Sequence, residues 1–198
     1  MNRRQAWTRM AALSAGTVAG FSGLASLSGC ASHHIADYAG QIPILDMRQY
    51  FNGVVDAYGL FTDRSGKVVK RFTVVMNCSW SGPSGKEQGV LDEDFLYSDG
   101  TKQKRIWHLQ REPVQGGQGS QGRYTGRADD VVGVATGQEQ GNAFNWTYTL
   151  NLPIEGRIIE VQFDDWMYLM NDRVMLNRAT MSKWGVTLGE VTLSFLKR

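Results

Sequence analysis

The stretch Phe144-Asn145-Trp146-Thr147-Tyr148-Thr149-Leu150 places a large apolar or aromatic side chain at every second position and a polar one between each pair. A period of two is that of a β-strand with one face in a core and the other toward water. The same alternation recurs outward in both directions. Toward the C-terminus, Ile159, Val161 and Phe163 lead into Asp164-Asp165-Trp166-Met167-Tyr168, and Asn171-Asp172 turns the chain into a strand from Val174 to Met181. The last strand, Val186 to Leu196, sets Val191, Leu193 and Phe195 on one face. Toward the N-terminus, Tyr124 to Thr136 reads as a strand closed by a turn at Gly137 to Gly141. Arg105, Trp107 and Leu109 share one face, as do Leu91, Glu93, Phe95 and Tyr97 across the hairpin signal Ser98-Asp99-Gly100. Val68, Phe72, Val74, Met76, Cys78 and Trp80 mark the longest alternating run, entered through Asp63-Arg64-Ser65-Gly66.

Apart from a helical turn expected at Leu45 to Phe51, no stretch beyond residue 44 sustains a 3.6-residue apolar period. Pro113 to Gly122 is rich in Gly and Gln and reads as a mobile loop. The expectation is an all-β domain, an antiparallel meander of about eight or nine strands. Closed on itself it makes a lipocalin- or calycin-like barrel with room for side chains or one small ligand, and closure removes exposed edges. An open, curved half-barrel is the alternative.

The N-terminus carries a different signal. Arg3, Arg4 and Arg9 precede a run from Met10 to Leu27 that has no charged residue and is diluted by Gly, Ser and Thr. Basic, then weakly apolar, then small residues is the order of an export signal rather than a membrane span. Leu27-Ser28-Gly29-Cys30 matches a bacterial lipobox position by position, so Cys30 is expected to be lipidated after cleavage before it. The expected organisation is a signal peptide over 1–29, lipidated Cys30 with a flexible tether over 30–43, and one β-barrel domain over 44–198. Ala31 is not Asp, so the usual inner-membrane retention signal is missing. That points to the periplasmic face of the outer membrane. General secretion is the default route; Arg3-Arg4 keeps the twin-arginine route open.

Removing the leader takes three Arg and no acid, moving the formal charge from +2 to −1. A near-neutral chain has no footprint for nucleic acid. With Cys30 lipidated, Cys78 has no disulfide partner, and its apolar surroundings read as a buried, inert thiol.

Chemistry-bearing motifs are sparse. Metal-ligand spacing, a phosphate-cradling loop, a dinucleotide fingerprint and a nucleophile elbow are all absent, so no cofactor or metal is implied. The doublets Asp129-Asp130 and Asp164-Asp165 can each send at most one carboxylate inward from a strand. They read first as turn caps or partners of an inward Arg. Glu93 and Arg105 can face each other across the Asp99-Gly100 hairpin, inside the barrel or on its rim. Trp107, Trp146, Trp166 and Trp184, with Met167, Tyr168 and Met170, fill a core or line a cavity; Trp107, Trp146, Trp166 and Tyr168 join Glu93, Arg105, Asp165 and Arg178 as the candidate ligand set.

Tyr50-Phe51-x-Gly53, Ala57-Tyr58-Gly59, Asp63-Arg64-x-Gly66, Arg71-Phe72, Arg105-x-Trp107, Tyr124-x-Gly126, Gly141-Asn142, Asp164-Asp165-Trp166-Met167 and the Gly185-to-Phe195 ending together carry a resemblance. Over about residues 38 to 197 the chain resembles a family of Gram-negative envelope lipoproteins classed as domain of unknown function 3833. The resemblance implies an envelope lipoprotein and carries over no catalytic residue. Tyr50-Phe51-x-Gly53 also resembles the start of lipocalins, although Val55 stands where their Trp is usual. Three functions follow as expectations. The first is a membrane-anchored barrel that binds or shelters a hydrophobic molecule such as a fatty acid or lipid. The second is an envelope scaffold with a solid core. The third is a lipid- or glycan-acting enzyme that uses Asp164 or Asp165 with Arg105 or Arg178.

Overall fold

A computed structural model describes residues 33–112, 122–154 and 156–198. The lipobox with Cys30 and most of the expected Gly/Gln loop lie outside these residues. Ten antiparallel strands run in sequence order around a closed barrel: β1 Gly53–Asp63, β2 Val68–Ser81, β3 Gln88–Tyr97, β4 Lys102–Glu112, β5 Arg123–Arg127, β6 Ala135–Gln140, β7 Ala143–Ile154, β8 Arg157–Leu169, β9 Val174–Lys183 and β10 Val186–Lys197. Each strand pairs with its sequence neighbours, and β1 closes the ring on β10 from Val55 opposite Lys197 to Asp63 opposite Gly189. The meander is therefore closed, and the open half-barrel is not what forms.

The strand count exceeds the expected eight or nine. Tyr124 to Thr136 is two strands, β5 and β6, separated by the loop 128–134. Gly137 to Gln140 belongs to β6 rather than to a turn. Asp129-Asp130 and Gly133, the last at φ 73°, break the run where its apolar alternation gives out. Turn chemistry sets the register elsewhere. Asp63 Oδ1 accepts from the Ser65 and Lys67 N–H groups, Asp99 Oδ1 from Thr101 N–H, and Asn171 Oδ1 from Arg173 and Val174 N–H.

One end of the barrel is plugged. A single helical turn, α1 Met47–Tyr50, begins at Asp46, whose carboxylate accepts from the Arg48 and Gln49 N–H groups. Leu45, Met47, Tyr50 and Phe51 are buried among the ends of the strands. Lys197 Nζ donates to the carbonyls of Gln49, Tyr50 and Asn52 at 3.0, 2.7 and 2.6 Å, and Trp80 Nε1 donates to Phe51 O at 2.7 Å. Beneath the plug lies Glu139, 1% exposed. It accepts from Met47 N–H at 3.0 Å, Gly122 N–H at 3.1 Å and the Tyr124 hydroxyl at 3.2 Å. Burial raises its carboxyl to about 7. Among the described residues, no helix crosses the other end, which consists of the turns between β1/β2, β3/β4, β7/β8 and β9/β10 and the loop 128–134.

From His33 onward the segment expected to be a flexible tether lies on the outer wall. A 3₁₀ turn spans Ile35–Tyr38. The His33 ring sits 4.0 Å from that of Trp166, and the Tyr38 hydroxyl donates to that of Tyr168 at 3.1 Å. His33 is exposed to solvent and at the same time rests against the barrel.

Close packing inside the wall depends on glycine. A Cβ on Gly137 meets the Trp146 ring and lies 2.6 Å from the Asn145 carbonyl oxygen, which is backbone and cannot swing away. Gly137→Ala is expected to cost about 1–3 kcal/mol through overpacking. The measurement is a lower urea midpoint with an unchanged slope.

Candidate ligand site

Strand alternation sends one face of each strand into the barrel, where an internal cavity of about 200 Å³ remains. Aromatic rings make much of its lining. Trp107 meets Trp146 and Tyr148 edge-on at centroid distances of 5.7 and 5.4 Å, and Tyr148 stacks on Phe163 at 5.0 Å. Edge-to-face and stacked pairs add roughly 0.5–1.5 kcal/mol each beyond their area burial, which favours a fixed wall over a collapsing one. The volume exceeds the ~150 Å³ of an apolar cavity that admits benzene. It is below the roughly 300–1,000 Å³ of pockets that enclose drug-sized ligands.

A few polar groups interrupt the apolar lining. Arg105, from β4, stands opposite Glu93 of β3 in register. Its guanidinium is engaged by Asp130 from the loop 128–134, with Nε at 3.1 and 3.0 Å from the two carboxylate oxygens and Nη2 at 2.7 Å from Oδ2. Glu93 is left 3.9 Å from Arg105 Nη1. Across the cavity, Asp165 of β8 accepts from the Asn177 side-chain amide of β9 and from the Tyr148 hydroxyl, the latter at 3.3 Å. Burial pushes both Glu93 and Asp165 up to about 7. Arg105 and neighbouring carboxyls pull the Glu93 value in opposite directions, while the Asn177 and Tyr148 hydrogen bonds hold Asp165 down against burial. Burial also raises the Tyr148 phenol, with Asp165 adding to the shift.

Of the residues named from sequence, the structure brings Glu93, Arg105, Trp107, Trp146 and Asp165 together on the cavity wall. It does not bring in the other three. Trp166 and Tyr168 have the opposite parity to Asp165 and face outward. Trp166 is buried because residues 33–38 cover it. Arg178, its side chain 67% exposed, pairs with Glu190 on the outer surface at 2.6 Å. Trp184, in the turn after β9, and Met170, just past β8, are exposed at 89% and 53% and line nothing, whereas Met167 reaches the cavity. Asp164 likewise faces out, accepting from Asn145 at 2.8 Å. The enzyme reading thus loses Asp164 and Arg178 from the interior. Asp130 arrives as the inward partner of an Arg, one of the two roles read for it.

Tyr148 and Asn177 were not among the candidates. Tyr148 shares its face with Phe144 and Trp146, so parity alone was enough to find it. Asn177 is a polar residue between Met175 and Ala179, both buried, and a polar break in an inward row was its only signal. Cys78 is buried, and its thiol is pushed up to about 12, mainly by burial.

The profile of a family described as "Protein of unknown function (DUF3833)" matches residues 24–197. No curated protein matches the chain. Among solved structures, the S-type phycobiliprotein lyase CPES from Guillardia theta is similar, with a TM-score of 0.52 and 6% identity over 76% of this chain and 89% of that one. At that identity the likeness concerns the fold alone, a lipocalin-like barrel.

Proposed function

The chain belongs to the DUF3833 family of proteins of unknown function, which supplies no activity to transfer, and we propose from the barrel interior that it is a carrier of a slim hydrophobic molecule, a single-chain lipid or one of similar girth. The observation that carries this reading is the cavity of about 200 Å³ inside a barrel plugged at one end by α1. A scaffold module needs no such space, and a well-packed core leaves few voids larger than a water. The proposal has a second half, a lipid anchor, which the lipobox Leu27 to Cys30 supports. Cys30 carries diacylglycerol and holds the barrel at the periplasmic face of the outer membrane, within reach of a lipid supply.

Native mass spectrometry of protein released from its own membrane in mild detergent tests both halves. The expected species carries diacylglycerol on Cys30 and, in addition, a dissociable small molecule. Ala179→Phe, which fills the cavity from a buried wall position, is expected to remove the second mass and keep the first. The carrier reading is overturned by wild-type protein that never carries a dissociable adduct and whose tryptophan emission does not respond to a long-chain alcohol. An unlipidated Cys30 overturns the anchor.

A further inference from the structure

Three carboxyl groups and one guanidinium meet at the cavity, and their pairing is uneven. Arg105 spends its fork on Asp130 through three contacts of 2.7 to 3.1 Å. Asp165 accepts from Asn177 and Tyr148. Glu93 is 8% exposed and lines the cavity, yet among the described residues no donor lies within hydrogen-bond distance of its carboxyl. Its nearest cation is the Arg105 Nη1 already noted, 3.9 Å away. A buried carboxyl without a donor is costly, because desolvation is not repaid. Such a group aimed into empty space is short of a partner that the protein itself does not supply.

We propose that Glu93 is the head-group receptor of this cavity and that the molecule it receives is an amphiphile with a hydrogen-bond-donating, cationic amine head rather than a free carboxylate. The proposal rests on the carrier reading and narrows it. A carboxylate head entering beside Glu93 and Asp165 meets like charge, and the guanidinium that would neutralise it already holds Asp130 on Nε and Nη2 and turns its Nη1 toward Glu93. An ammonium meets Glu93 as the hydrogen-bond donor it lacks and as a second cation beside Arg105, with Asp165 as a second acceptor. The groups facing Glu93 from every side agree with this. They are Asp92 and Tyr97 on its own strand, Cys78 from β2, Arg105 from β4, Asp130 from the loop, Tyr148 from β7 and Asp165 from β8. Arg105 is the one cation among them. Burial raises Glu93 to about 7, so an ammonium arriving near neutral pH stabilises the ionised form and releases a proton.

The test compares three probes of equal chain length on the delipidated wild-type protein at pH 7: decylamine, decanol and decanoate, followed by tryptophan emission. Decylamine is expected to bind at least tenfold tighter than decanol, and decanoate weaker than decanol. In Glu93→Gln the amine is expected to lose its tenfold advantage over the alcohol. If decanol binds and decylamine binds no tighter, or if decanoate is the tightest, the amine assignment is wrong and the carrier reading stands. If none of the three binds, both are wrong. The wild-type comparison decides even if the variant does not fold.

Discussion

Glu139→Ala is expected to lower the unfolding free energy by about 3–5 kcal/mol, since it strands two buried backbone donors and leaves a cavity. The donors are the N–H groups of Met47, in the first turn of α1, and of Gly122, entering β5. Neither has another acceptor among the described residues, and the Tyr124 hydroxyl loses its partner as well. The loss falls on the element that closes the barrel, so the variant is also expected to exchange the amides of residues 45–51 faster than the strand amides. Chemical denaturation and amide hydrogen exchange check the two parts.

The same side chain gives stability a pH slope. The Glu139 carboxyl titrates near 7 when folded, against an ordinary 4.5. A raised folded value means that the contribution is fully present below about pH 4.5 and is lost as pH rises through 7, up to roughly 3 kcal/mol. Glu139→Gln keeps the shape and cannot ionise, so it is expected to flatten that part of the slope. Denaturation midpoints at pH 4.5, 6 and 8 measure the difference from wild type.

Arg105→Met is expected to cost about 2–3 kcal/mol at pH 8, below the roughly 3–5 kcal/mol that breaking a fully buried ion pair costs. The reduction from the full value follows from Asp130, whose side chain is 23% exposed and keeps some water when its partner is lost. Glu93 also loses the cation that holds its carboxyl down. With three carboxyls and no guanidinium, protonation becomes the way to relieve the repulsion, so the loss is expected to shrink toward pH 5. Adding Asp130→Asn to Arg105→Met is expected to recover part of the stability at pH 8. Urea denaturation of the single and double variants at both pH values tests the coupling, and a loss independent of pH contradicts it.

Strand identity was legible in the sequence because period-two alternation is a direct image of a wall with one wet face. The rows Phe144-Trp146-Tyr148-Leu150 and Val191-Leu193-Phe195 needed nothing more. Closure was legible only as a preference, since the pairing of β1 with β10 depends on two segments at opposite ends of the chain. The break between β5 and β6 was hidden by residues that suit a strand, Val131 and Val132, placed in a loop that lets Asp130 turn inward. Parity separated Asp165 from Asp164, and it also put Trp166 and Tyr168 outside. Aromatic content nevertheless suggested an interior place for them, because nothing in Ile35–Tyr38 shows by pattern that it covers the outer wall. Arg105 facing Glu93 follows from hairpin register. That Asp130 takes the guanidinium, leaving Glu93 short of a donor, is a tertiary fact with no local signature.

The closing seam has a consequence for how the chain acquires its shape. β1 pairs along one edge with β2, its immediate successor, but its other edge has to wait for β10, and Arg198 binds Asp56 across 142 residues of sequence. Contacts this distant make assembly slow, and an unpaired strand edge is a template for association with other chains. A polypeptide delivered from its N-terminus therefore presents the β1 edge bare until β10 arrives. Truncating β10 makes the exposed interval permanent.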